Sequence, residues 1–343
     1  MKVVAKRKIT ILGDGAWGTA LALILNDNGY NVTVWSPFPE NLTVIKQKRE
    51  NVLFLPGVKL PEEIKWTSSC EQAVQNAEII VIAIPSKYIR STLAKFHGIV
   101  SPSCILVSAT KGLDPQTYKR MTEVIGELLN CQAIAAISGP SHAQEVARKI
   151  PTAVVVASSD INLAGELQRI FSNSYFRVYS SDDVAGVEFG GAFKNVIAVA
   201  VGISDGIGFG HNTSAALITR GLAEITRLGC ALGAKPATFA GLSGVGDLIV
   251  TCTSGLSRNW TAGKKIGSGV PVRQLMSQTK VAVEGVWNCK TVLELARKVN
   301  VETPITEHVY AVIYEGMEPA KAVKSLMSRP LKQELQNLKF TIS

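Results

Sequence analysis

The sequence predicts an α/β chain, with a doubly wound sheet in the first half and a mostly α-helical second half. Three observations carry that expectation. Short aliphatic runs alternate with amphipathic stretches from Lys8 to about Ser181, a glycine-rich turn follows the first run, and helical periodicity takes over beyond Asp182-Asp183. Aliphatic strands alternating with helices imply a parallel sheet covered on both faces, with ligands at the carboxyl ends of the strands.

The first strand, Ile9-Thr10-Ile11-Leu12, runs straight into Gly13-Asp14-Gly15-Ala16-Trp17-Gly18, and residues 19–28 then read as a helix. Strand, glycine-rich turn and helix together make the Rossmann-type geometry that cradles a dinucleotide pyrophosphate. Gly13 makes the tight turn. Gly15 lets backbone N–H groups approach phosphate oxygens. Gly18 lets the helix pack close to the strand, and the helix N-terminus presents free N–H groups to the anion. Further strands are expected at residues 31–35, 79–84, 105–108 and 134–137, with candidates at 152–157 and 177–179. The turns holding Pro85, Lys111 and Ser141 then fall at carboxyl ends.

Helices are expected at residues 188–203, 213–228, 236–242, 291–298 and 306–315. The division is a dinucleotide-binding domain over 1–183, an all-helical substrate domain over 184–330 and a polar tail over 331–343.

A chain of 343 residues is long enough for two such domains, and 46% hydrophobic with 18% charged residues argues for a packed core rather than disorder. The net charge of +9 is spread along the chain, without the basic blocks and interleaved aromatics of a nucleic-acid binder. It suits attraction of phosphorylated ligands. Six dispersed cysteines, none as CxxC, read as free thiols, and the four scattered histidines give no metal-ligand spacing. The first apolar run is too short for a signal peptide, and no stretch is expected to approach the ~20 apolar residues of a membrane span. The expectation is a cytoplasmic protein.

Four places carry chemistry. Lys194 sits among Gly190, Gly191, Ile197 and Ala198 on its helix. Burial there would lower its pKa into the range of a proton carrier, whereas a lysine snorkelling from a helix edge is the plainer alternative. The small neighbours favour the first. Asp247 ends a glycine-rich turn that begins at Gly241, and Ser257-Arg258-Asn259 opens a further helix. Arg258 at a helix N-terminus suits a phosphate dianion, and a simple cap with a solvated arginine is the alternative. Ser141 with Gln144 matches a capping box. Trp35-Ser36-Pro37 ends the second strand with neither an acid for a ribose 2′-hydroxyl nor a base for a 2′-phosphate; the next acid is Glu40. NAD and NADP both stay open.

In order, GDGAWGTALA, ATKGL, ISGPS, KNVIAVAVGISDGIGFG, ALITRGLAE, GLSGVGDLIVTCTS, SRN, VEG and PITE resemble the NAD(P)-dependent glycerol-3-phosphate dehydrogenases, in their bacterial-type, soluble branch. The resemblance covers nearly the whole chain. It implies interconversion of sn-glycerol 3-phosphate and dihydroxyacetone phosphate, with Lys194 as proton acceptor assisted by Lys111 and Asp247. It implies substrate contacts at Lys111, Gly139, Ser141, Lys194, Asp247, Ser257, Arg258 and Asn259. Cofactor contacts fall at Ala16, Trp17, Lys111, Ala143, Arg258 and Glu284, beside Gly13, Gly15 and Gly18 of the turn. It also implies a homodimer that uses NAD or NADP, supplies glycerol phosphate to phospholipid synthesis and has no nucleic-acid partner. Asp14 stands where the family often has alanine, and Pro37 where some members place a basic cofactor contact. A ketopantoate- or 6-phosphogluconate-type dehydrogenase is the alternative.

Overall fold

Residues 7–278, 283–331 and 333–334 are described by the computed structural model, which divides into two compact units. The first holds residues up to Thr110 together with Lys119–Val184; the second holds Ala185 onward together with Lys111–Tyr118. A linear cut at 183/184 leaves that short segment with the first half, whereas it packs with the second unit. Leu113 lies in the second unit's core.

The first unit is built on an eight-stranded sheet in the order β10-β9-β8-β7-β6-β1-β2-β5. Its strands are β1 (Lys8–Leu12), β2 (Asn31–Trp35), β5 (Lys65–Thr67), β6 (Ile79–Ile82), β7 (Ile105–Ser108), β8 (Ile134–Ser138), β9 (Thr152–Ala157) and β10 (Phe176–Ser181). A separate antiparallel pair, β3 (Glu50–Asn51) and β4 (Leu55–Lys59), lies between β2 and β5 in the chain. The helices of this unit are α1 (Ala16–Asp27), α2 (Pro39–Lys48), α3 (Cys70–Val74), α4 (Ile89–Leu93), α5 (Met121–Leu129), α6 (Ala143–Ala147) and α7 (Ile161–Phe171). Separate apolar clusters, one including Ile9, Ile11 and Val34 and the other Leu12, Trp35, Ile80 and Ile82, cover the two faces of the sheet. That is why its central strands read as unbroken aliphatic runs.

The pairing is parallel from β5 to β8, but β8 meets β9 antiparallel and β10 follows β9. The expectation of a parallel sheet therefore holds for the part that carries the glycine turn, and the last two strands are reversed. An apolar run carries no direction, so composition could not reveal the reversal. The β3–β4 pair, β5 and α2 are additions to the expected elements. The β3 strand has two residues, too short for any periodicity.

The second unit, among the described residues, is helical: α8 (Val184–Ile207), α9 (His211–Ala231), α10 (Pro236–Phe239), a π-turn at Leu242–Gly246, α11 (Asp247–Thr253), α12 (Arg258–Gly267), α13 (Val272–Gln278), α14 (Glu284–Lys298), α15 (Pro304–Tyr314) and α16 (Pro319–Met327). The carboxylate of Glu224 on α9 anchors α15 by accepting from the backbone N–H of Ile305 and of Thr306 at 2.8 and 3.0 Å. By length and hydropathy α8 does qualify as a membrane span, against expectation, yet 89% of its most apolar window is buried. A helix apolar on every side fits the centre of a helical core as well as it fits a bilayer. Most of the expected tail at 331–343 lies outside the described residues.

Candidate active site

In the first unit, the turn between β1 and α1 is shaped by close approach. Gly13 has φ +116°, and a Cβ there would lie 2.6 Å from the Ala83 carbonyl oxygen. At Gly18 a Cβ would come within 2.1 Å of the Gly13 oxygen, so only glycine lets α1 sit this near β1. Gly15 differs: its φ is ordinary and nothing lies within 4 Å of where a Cβ would be. The protein itself does not demand glycine there. No side chain caps α1, so the N–H groups of its first turn have no side-chain partner. The indole Nε1 of Trp17 is buried without a hydrogen-bond partner. An open face at Gly15, an uncapped helix start and this buried donor fit a dinucleotide phosphate at the turn.

Asp14 turns away from that face. Its Oδ2 accepts from Ser36 Oγ at 2.8 Å and from Asn41 Nδ2 at 2.7 Å, and all three residues are buried. Burial raises the Asp14 carboxyl above its usual pKa, and the two donors oppose that. At the end of β8, Ser141 Oγ donates to the Gly139 carbonyl at 2.9 Å, and His142 takes the N-cap position of α6. The helix therefore starts one residue later than the expected Ser141–Gln144 capping box, with His142 rather than Ser141 at its N-cap. Ala143 joins the same apolar cluster as Ala16 and Trp17.

In the second unit three charges meet. Lys194 Nζ on α8 donates to Asp247 Oδ1 at 2.5 Å and to Thr251 Oγ1 at 2.6 Å. Lys111 Nζ donates to the other carboxylate oxygen at 2.8 Å. Lys194 is 4% exposed and Asp247 1%. Burial drives the Lys194 amine down to about 8, against the pull of Asp247 and with the repulsion of Lys111. Burial also works against the Asp247 carboxylate, but the two ammonium groups outweigh it and hold it below its usual value. The lysine is therefore no snorkelling edge residue. It is a buried amine poised near neutrality, paired well enough to tolerate desolvation.

The glycines beside Lys194 explain how Asp247 reaches it. A Cβ on Gly190 would lie 2.3 Å from the Ser243 carbonyl oxygen, so the π-turn rests directly on α8. The extra residue of a π-turn rotates the next stretch of helix, and Asp247 is the first residue past the turn.

Arg258 occupies the first turn of α12 with its side chain exposed at the surface, and the packing around its guanidinium lowers its pKa against the opposing pull of the Glu284 carboxylate. Ser257 caps that helix, its Oγ accepting from the Trp260 N–H at 3.2 Å. Asn259 is buried: its Nδ2 donates to Asn195 Oδ1 at 2.9 Å and its Oδ1 accepts from the Gly285 N–H at 2.8 Å. This bridge ties the starts of α12 and α14 to the residue next to Lys194.

The family model for the NAD-dependent glycerol-3-phosphate dehydrogenase N-terminus matches residues 8–164, and that for its C-terminus matches residues 183–324. The chain belongs to the NAD-dependent glycerol-3-phosphate dehydrogenase family. It is 49% identical over 333 residues to glycerol-3-phosphate dehydrogenase [NAD(P)+] of Geobacillus kaustophilus, covering 96% of this chain and 97% of that one. It is 47% identical over 332 residues to the protein of the same name from Fusobacterium nucleatum, covering 96% and 99%. The 2.1 Å crystal structure of glycerol-3-phosphate dehydrogenase from Coxiella burnetii superposes with a TM-score of 0.91 at 38% identity, covering 94% and 99%. A ketopantoate reductase from Ralstonia eutropha reaches 0.59 at 16% identity, which shows a shared fold alone.

Two residues of this cluster escape a reading of the sequence. Thr251 lies one helical turn after Asp247, a spacing that places both on one face and could have marked it. Asn195 adjoins Lys194 in sequence but reaches its partner Asn259 across 64 positions, for which no local signal exists.

Proposed function

We propose that the enzyme interconverts sn-glycerol 3-phosphate and dihydroxyacetone phosphate by hydride transfer with NAD or NADP. The observation that carries the reading is the buried Lys194 amine, at about 8, held by Asp247 and Thr251. In the oxidising direction neutral Lys194 takes the proton of the C2 hydroxyl, and in the reducing direction its ammonium returns one. Asp247 aims the amine through one oxygen and holds Lys111 through the other, so that Lys111 can polarise the C2 oxygen. Arg258, with Ser257 and Asn259 at the start of α12, binds the phosphate, and Gly139 and Ser141 complete the substrate contacts. The dinucleotide, when bound, supplies the hydride carrier. Gly13, Gly15, Ala16, Trp17 and Gly18 hold its pyrophosphate, with Lys111, Ala143, Arg258 and Glu284 as further contacts. The product glycerol phosphate would feed phospholipid synthesis, and the proposal extends to a cytoplasmic homodimer as the family resemblance implies.

The test is NADH and NADPH oxidation with dihydroxyacetone phosphate, run beside ketopantoate. The reading expects turnover with the triose phosphate and a KM raised about tenfold or more in Arg258→Ala, which removes a charge-assisted contact to the phosphate. Turnover with ketopantoate alone would overturn it.

A further inference from the structure

The end of β2 is where an α/β dinucleotide site distinguishes a ribose 2′-hydroxyl from a 2′-phosphate. In this chain the polar side chains there face inward. Ser36 is fully buried and Asn41 is 6% exposed, and each donates a hydrogen bond to Asp14 Oδ2. Asn51 fastens the same turn, its Nδ2 donating to the Asp14 carbonyl at 2.7 Å and to Thr19 Oγ1 at 2.9 Å. What remains on the exposed side is Pro37, Phe38, Pro39 and Glu40. That stretch holds an acid and no cation. Glu40 is near enough to act on Asp14 through its charge, so two carboxylates bear on this loop. The basic residues of α2, Lys46 and Lys48, come in its last turn, and the Arg49 side chain donates to the Pro61 carbonyl. Lys95 lies 6.0 Å from the centre of the Trp35 ring, over a face of β2 that is packed in the core.

We infer that the Asp14–Ser36–Asn41 lock, with Glu40 at its rim, makes this enzyme selective for NAD(H) over NADP(H). The inference rests on the dinucleotide reading above and adds its specificity. A 2′-phosphate dianion would meet two like charges and no donor still free on Ser36, whereas a 2′-hydroxyl can donate to Glu40. Like charges set against each other without compensation disfavour the wrong partner strongly.

The test is the dissociation constant of NADH and of NADPH, read by titration calorimetry on the whole chain without substrate. NADH should bind about tenfold or more tighter than NADPH. The surface substitution Glu40→Lys should tighten NADPH and weaken NADH, because it removes the 2′-hydroxyl's acceptor and supplies a cation, and so should narrow the ratio. Asp14→Asn, which keeps the volume of the lock and removes its charge, should narrow the ratio further. Equal or tighter binding of NADPH by the unaltered protein, or a ratio unmoved in both variants, overturns the inference while leaving the dinucleotide reading intact. Binding of neither dinucleotide overturns both.

Discussion

The first unit and the second hold charge by different means. Around the glycine turn the first unit offers backbone: an uncapped helix start, glycines at which a Cβ would lie 2.1 and 2.6 Å from a carbonyl oxygen, and a carboxylate turned inward. The second unit offers side chains, two ammonium groups on one buried carboxylate. A backbone cradle binds an anion with fixed dipoles and does not titrate. A buried amine binds less rigidly but can take and return a proton. The comparison teaches that binding and proton transfer are separable here, and substitutions should separate them.

Lys194→Ala should have the largest effect. It removes the proton carrier, and kcat should fall by about 10²- to 10⁴-fold with the NADH dissociation constant nearly unchanged. Near-normal turnover in that variant would refute the assignment. Gly18→Ala should do the converse. Its methyl would sit against the Gly13 carbonyl, costing about 1–3 kcal/mol of stability and weakening NADH, while the Lys194 titration stays put. A variant that loses neither melting temperature nor NADH affinity would show that α1 has room to move. Thr251→Val should be smallest. It deletes one hydrogen bond to the amine, and kcat should drop about two- to tenfold with KM steady.

The same contrast explains which features are legible in the sequence. The glycine turn is contiguous, and each of Gly13, Gly15 and Gly18 can be given a reason from its neighbours in the chain. Lys194, Asp247 and Arg258 stand out as residue types in unusual company. The pairing of Lys194 with Asp247 is expected only from the family resemblance and not from local spacing, because 53 positions separate them and a π-turn sets the approach. In the sequence Asp14 is an awkward charge beside a phosphate, and its resolution depends on Ser36 and Asn41, 22 and 27 residues away. Ser141 misleads for the opposite reason: a capping-box pattern is present, but the helix begins one residue on, with His142 at its N-cap. Patterns set by neighbouring residues are readable, and those set by packing are not.

In the proposed reaction one buried amine, titrating near neutrality, carries the proton. The most direct test of that role is the pH dependence of kcat/KM for glycerol 3-phosphate oxidation. Because only the neutral amine accepts a proton, the account predicts a rise with pH whose midpoint lies near the Lys194 value of about 8. A profile that stays flat from about pH 7 to 9, or that rises only near the ordinary lysine range, would contradict it.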